Sequence, residues 1–321
     1  MKNPGRSWIV GIALFITLSV LIAVSLNFGA ASTDSVVIWN IRLPRTIAAT
    51  LVGVGLASAG VLLQGSLRNP LADPALVGVS AGAALGAVLG AAIGLPFNSI
   101  GVTSVAVVTS SIAMAFVLWV SRSNGRIEVV TVLLSGIAVS AFGAAAMSII
   151  INSASNAAGT RSVSFWTTGS FSLSNWSGVN AMWPAIAIGM VLAFFLAPSL
   201  DLLALGDEGA HASGVAVSRV RALALLAAVL LTAAGVAVVG VIAFVGLVVP
   251  HAVRLVIGPS HRQLLVVSAV GGAVVLLLAD TIARLALSPI EIPVGSVTAI
   301  VGAPVFFVML GRARNRQGGW A

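Results

Sequence analysis

Charge-free stretches govern what this chain can fold into. Between sparse ionisable residues lie uncharged windows at 7–33, 46–67, 74–121, 129–160, 162–200, 222–253, 263–279 and 292–311. A bilayer-spanning helix needs about 20 predominantly apolar residues. Most windows therefore hold one crossing and the longest hold two. With 59% hydrophobic and 7% charged residues in 321 positions, the chain falls far below the ~25% charged residues of a soluble domain. Its solvent is largely lipid. We expect one integral-membrane domain, 1–321, with no soluble appendage.

Local signals divide the long windows. GLPFNS (94–99) ends one helix at Gly and Pro and starts the next at Asn98-Ser99. The window at 222–253 holds Gly235, Gly240 and Pro250 and splits near 239. SVSFWTTGSFSLSNW (162–176) is too polar to span and reads as an interfacial loop with aromatic anchors. The expected fold is an all-α integral membrane protein of about ten transmembrane helices. Their approximate positions are 8–30, 46–66, 75–94, 100–121, 129–151, 178–197, 219–238, 241–257, 263–283 and 295–311. The first apolar run is longer than a signal-peptide core and more spans follow it, so it reads as a helix.

Basic residues orient the spans. With both termini in the cytoplasm, Lys2, Arg6, Arg68, Arg122, Arg126, Arg219, Arg221, Arg254, Arg262, Arg312, Arg314 and Arg316 lie inside; Arg42, Arg45, Arg161 and Arg284 lie outside. That asymmetry obeys the positive-inside rule. Loops holding Asn124 and Ala210 are then cytoplasmic, and those holding Ser155 and Ser288 are external. The same rule explains the net charge of +8, which forms no stripe suited to nucleic acid.

Two small-residue patterns add detail. Gly82, Gly86, Gly90 and Gly94 recur at four-residue spacing and suit close packing against a neighbouring helix. At an offset of 180, Leu51, Gly55, Ala57, Gly60, Val61 and Pro70 match Leu231, Gly235, Ala237, Gly240, Val241 and Pro250. The echo suggests an inverted repeat of helices 2–5 and 7–10, a common transporter plan.

Several chemistries are excluded. The chain's one lysine is Lys2, so no P-loop lysine can reach a nucleotide phosphate. Cysteine is absent, and His211, His251 and His261 lie far apart without companion ligands, so no metal site is expected. Proton-coupled carriers place acids mid-helix; here Asp280, with Arg284 one turn on, reads as a structural pair. His251, alone after a proline, reads as structural and not as a haem ligand. The driving energy must come from another subunit. LGDEGAHASGV (205–215) then stands out, a charged and glycine-broken island between apolar runs.

IRLPRTIAATLVG (41–53), LQGSLRNPLADPALVGVSAGA (63–83), LGDEGAHASGV, GVIAFVGLVVPHAVRLVIGPSHR (240–262) and LLLADTIARLALSPIEIPVGSVTAIVGAPVFFVML (276–310) keep a shared order and spacing. Together they resemble the permease subunit of ABC importers in the iron-siderophore, haem and cobalamin uptake family. The resemblance implies a second permease subunit, identical or homologous, two cytoplasmic ATPase subunits that bind the ATP, and an extracytoplasmic substrate-binding protein. It implies no cofactor in this chain and a multi-pass location in the cytoplasmic membrane. A ferric siderophore is the expected substrate, with haem or cobalamin as alternatives. Leu205, Gly206, Asp207, Glu208, Gly209, Ala210, His211 and Gly214 correspond to the loop that packs on the ATPase. Arg42 and Arg45, with Arg284, correspond to arginines that meet acidic residues of the binding protein.

Overall fold

A computed structural model describes residues 4–28, 34–123, 126–153, 162–288 and 290–316. Lys2, Asn124, Ser155 and Arg161 lie outside the described residues. Eight helices are long and apolar enough to cross a membrane. They are α1 (Pro4–Asn27), α2 (Ser35–Ser66), α4 (Ile100–Val120), α5 (Val129–Ser153), α7 (Trp176–Leu203), α9 (Val217–Val239), α11 (His261–Leu285) and α12 (Val294–Arg316). Two shorter apolar helices, α3 (Val79–Ala92) and α10 (Val245–Ile257), occupy the remaining expected positions. The turns α6 (Val163–Thr168) and α8 (Asp207–Ala212) complete the set, and Arg122–Ser123 pairs antiparallel with Arg126–Ile127.

Large apolar side chains face outward along the rim helices: Trp8, Ile9, Phe15, Phe142, Ile149 and Phe307 are all exposed. A water-soluble surface does not tolerate so continuous an apolar cover; lipid does. Inside, α2 and α9 are buried along most of their length. Small residues make their crossing possible. A Cβ on Gly55 would lie 2.5 Å from the Leu231 carbonyl oxygen, and one on Gly235 would lie 3.1 Å from Val52.

Apart from α7, which packs on both, α2 packs on α9, α10 and α11, while α9 packs on α2, α3 and α4. Each central helix thus meets the other, plus the second and third helices of the opposite half. That reciprocity is what an inverted repeat requires. The 180-residue echo tracks it only at the α2–α9 crossing. Gly60 packs on the Gly246 backbone within a continuous helix, whereas Gly240 ends α9. Pro70 sits in a turn, whereas Pro250 lies inside α10.

Of the glycines spaced by four, Gly82, Gly86 and Gly90 face α4. Gly94 (φ +87°) instead closes α3. Leu95 donates to the Gly90 carbonyl and Gly94 to that of Ala91, the paired bonds of a Schellman motif. Ser99 then caps α4 by accepting from the Val102 amide at 3.3 Å.

Two expected helices are shorter than their apolar stretches. The one expected at 75–94 begins at Val79, because residues 69–78 form consecutive turns ending at Gly78 (φ +84°). The one expected at 241–257 begins at Val245, because residues 240–244 are unwound between Gly240 (φ +79°) and Phe244 (φ +70°). The segment 162–176 supplies the missing partners. Val241 donates to the Trp166 carbonyl at 2.9 Å, and Ser170 donates to that of Val239 at 2.8 Å. Trp166 and Phe171 are fully buried. This segment therefore packs against a broken helix, and its Trp166 and Phe171 are core residues in place of the expected interfacial anchors. Irregular backbone at membrane depth has to be satisfied by protein in this way.

Candidate functional site

Two charged clusters sit at opposite ends of α2. Its regular part, Leu43–Ser66, runs 24 residues, or ~36 Å at 1.5 Å per residue.

At the C-terminal end lies the charged island. Gly206 (φ +103°, ψ 162°) turns the chain out of α7, in a conformation essentially restricted to glycine. Asp207 and Glu208 open α8, where carboxylates favour the positive end of the helix dipole. The helix stops after two turns because Gly214 (φ +82°) takes the left-handed position. Val215 donates to the Ala210 carbonyl and Gly214 to that of His211. Ala210 is buried against the body of the protein, while Leu205, Glu208 and His211 are exposed. Gly209 lies between these faces, with the Leu205 Cβ 3.3 Å from where its own Cβ would stand.

The two adjacent acids do different work. Glu208 points outward with His211. Asp207, itself half exposed, pairs with the body of the protein, 3.1 Å from Arg221 Nη2 and 3.3 Å from Arg68 Nη2. Arg221 Nε also donates to the Ser66 carbonyl at 3.0 Å. Helix α8 is thereby tied to the last turn of α2 and the first turn of α9. Nearby, Asp201 Oδ1 accepts from the His261 backbone amide at 2.8 Å and lies 2.7 Å from its Nδ1, fastening the end of α7 to the start of α11.

At the other end of α2, Arg45 is buried, with 7% of its surface exposed. Its Nη2 lies 2.8 Å from Asp280 and its Nη1 2.9 Å from Glu291. Arg284 Nε lies 3.3 Å from the other Asp280 oxygen, and its Nη2 donates to Ser25 at 2.9 Å. Arg42, also buried, donates to the Leu26 carbonyl at 2.8 Å. The three arginines expected on a docking rim are thus brought together, but inside a cluster joining α1, α2, α11 and the turn before α12. The physical reason is the fully buried Asp280, which needs compensating charge. The Asp280–Arg284 pair is present; the stronger contact, to Arg45, comes from 235 residues away in sequence.

Between the two clusters, Asp73 of the 69–78 turns reaches the start of α10. Its carboxylate accepts from Ala75 at 2.8 Å and from the Leu247 amide. Gln64 Nε2 donates to the Gly246 carbonyl at 3.1 Å. Burial pushes the Asp73 carboxyl up to about 6, opposed by amides of Ala75, Leu247 and Leu76 that favour its charged form. The sequence reading missed Asp73, Gln64, Asp201 and Arg221 as structural hinges. A lone polar residue near an apolar run was the available signal.

The profile of the FecCD transport family matches residues 7–312. The chain belongs to the FecCD transport family. It is 43% identical over 302 residues to the cobalamin import system permease protein BtuC of Halobacterium salinarum, covering 94% of this chain and 79% of that one. It is 38% identical to the hemin transport system permease protein HmuU of Yersinia pestis, covering 95% and 96%. A solved structure described as an inward-facing conformation of a metal-chelate type ABC transporter aligns with a TM-score of 0.80 at 32% identity, covering 94% of this chain and 99% of the other. This FecCD-type protein is accordingly a multi-pass ABC importer permease. Separate ATPase subunits hydrolyse ATP, and a binding protein works with it.

Proposed function

We propose that this permease translocates a ferric siderophore across the cytoplasmic membrane, driven by two ATPase subunits that dock on α8. The observation behind the coupling role is the division of labour on α8. Leu205, Glu208 and His211 face solvent, while Asp207 grips Arg68 and Arg221. A push on the outer face therefore reaches α2 and α9, the two central helices. Relatives that support an iron chelate include the iron(3+)-hydroxamate permease FhuB of Bacillus subtilis, 37% identical over 90% of this chain and 75% of its own. The cobalamin relative from Halobacterium, at 43%, favours cobalamin as the second reading.

On this reading residues 1–321 form one permease domain crossing ten times, paired with a second permease. The α8 end, where Arg68, Arg221, Arg254 and His261 gather, faces the cytoplasm, in keeping with the positive-inside rule. The binding protein docks at the opposite end, where Arg42, Arg45 and Arg284 hold the rim together from within. The direct test is ATP-dependent uptake into proteoliposomes containing permease, ATPase and binding protein. Iron-labelled siderophore should accumulate in preference to haem and cobalamin; selective cobalamin uptake would install the second reading. Because cysteine is absent, single cysteines report sidedness without background. One at Ala210 should label from the cytoplasm, and one at Ser288 from outside.

A further inference from the structure

Beside α8 a cavity of about 260 Å³ opens between the end of α2, the end of α7 and the turn joining α10 to α11. Gln64 and His261 form its buried floor, and Arg68, Ala204 and Pro259 its exposed mouth. Arg254, half-buried, stands in its wall.

The Arg254 guanidinium has no hydrogen bond or ion pair among the described residues, although its backbone carbonyl accepts from Gly258 at 3.0 Å. Other basic side chains among the described residues have a setting of their own. Arg122 and Arg219 are exposed to water, and Arg262 rests on the Phe194 ring with its guanidinium carbon 4.7 Å from the centroid.

The chain also has nothing left to give Arg254. Its eight acidic residues all lie within the described residues. Asp280 and Glu291 hold Arg45, Asp207 holds Arg68 and Arg221, and Asp201 holds His261. Asp73 is spent on the start of α10, and Glu128 accepts from Thr131. Asp34 precedes α2, at the end of that helix remote from the cavity, and Glu208 points outward on α8. A guanidinium taken partly out of water without a counter-charge is costly, and the cavity of about 260 Å³ that it lines opens beside the exposed Arg68 and Pro259.

We propose that this cavity receives an acidic side chain of the ATPase subunit, seated on Arg254 with Arg68 at the rim. The inference rests on the reading that α8 docks on that subunit. Position selects the partner: Arg68 at the mouth is already bound to Asp207 of α8, so whatever covers α8 also covers the cavity. Chemistry selects the group, because a guanidinium takes a carboxylate through two parallel hydrogen bonds. The contact would register the ATPase against α2 and α11 as well as α8.

The test uses the assembled transporter with the photocrosslinking residue p-benzoylphenylalanine placed singly at Glu208 or Pro259. Both positions should capture the ATPase subunit, and the peptide captured from Pro259 should carry an Asp or Glu. Arg254→Gln should weaken ATPase association about tenfold or more at low ionic strength, as expected on losing one partner of a desolvated pair. Reversing both charges, Arg254→Glu with that acid replaced by Lys, should recover part of it. Capture from Glu208 but not from Pro259 overturns the cavity proposal and leaves the α8 reading standing. Capture from neither overturns both. Cross-links from Pro259 to phospholipid alone would make the cavity a headgroup site and also overturn the proposal. Should Arg254→Gln fail to fold, the Pro259 cross-link in the otherwise native chain still decides.

Discussion

Arg221 donates to the carbonyl of Ser66 at 3.0 Å, bonding the first turn of α9 to the last turn of α2. The same guanidinium holds Asp207, so one side chain joins the α8 turn to both central helices. A displacement of α8 cannot leave the pair α2–α9 unaffected while this fork is intact. Replacing Arg221 by Gln keeps most of the length and removes the charge. Hydrogen bonds made by a charged group contribute about 1.5–3 kcal/mol, a loss that a large helical body survives. We expect ATPase subunits to bind still, through Glu208 and His211. Substrate moved per ATP hydrolysed should fall about five- to tenfold, within the ordinary range of coupling free energies. Unchanged stoichiometry in proteoliposomes would remove Arg221 from the transmission path.

The two glycines flanking α8 should not respond alike. Gly206 occupies a region of backbone space that only glycine populates, whereas Gly214 takes a left-handed position at a helix C-terminus. Asn enters the latter readily; no side chain enters the former without ~1–3 kcal/mol of strain. Gly214→Asn should retain near-native transport. Gly206→Ala should lose ATPase association while the permease body keeps its melting temperature in detergent. Equal behaviour of the two variants would contradict this account of the turn.

Asp73 gives a pH signature. Burial raises its folded value to about 6, above the ordinary aspartate value of 3.8, so the folded protein binds a proton more tightly than the unfolded chain. Stability from this group is full below about pH 4 and is lost as pH rises through 6; the difference is on the order of 3 kcal/mol. Thermal melts should therefore show a midpoint that falls between about pH 4 and pH 7. Asp73→Asn, which can still accept from the Ala75 amide, should flatten that slope. A slope unchanged by the substitution would assign it to other groups.

What the sequence disclosed follows from the physics of each signal. Helix positions were legible because uncharged length reports directly on bilayer span. The α8 turn was legible because charge and glycine are conspicuous in an apolar chain. The breaks at residues 69–78 and 240–244 were not, since an apolar stretch reads the same whether it is helical or held open by a neighbour. Only the pairing of Val241 and Ser170 with distant segments reveals the second one. Long-range charge pairing was equally hidden. Arg45 precedes Asp280 by 235 residues, and spacing offered only Arg284, one turn away, as its partner.

That buried pairing changes what charge reversal at Arg45 would report. On an exposed rim, Arg45→Glu would remove a docking contact worth only ~0–1 kcal/mol per pair. Here it would set a third carboxylate beside Asp280 and Glu291, with Asp280 wholly shielded from solvent. Removing one partner of a buried pair typically costs about 3–5 kcal/mol when the other is stranded; here Arg284, 3.3 Å from Asp280, keeps part of the compensation, so the loss should be smaller. Arg45→Gln should accordingly lower the melting temperature of the permease by itself, with no binding protein present. Asp280→Asn in the same chain removes the under-compensated carboxylate but leaves Arg284 without its acid, so it should restore only part of the loss. Glu291→Gln, at a half-exposed carboxylate, should matter least. A double-mutant cycle on purified permease measures the coupling between Arg45 and Asp280 directly. A coupling near zero, with full stability in Arg45→Gln, would return Arg45 to the rim as a free docking cation.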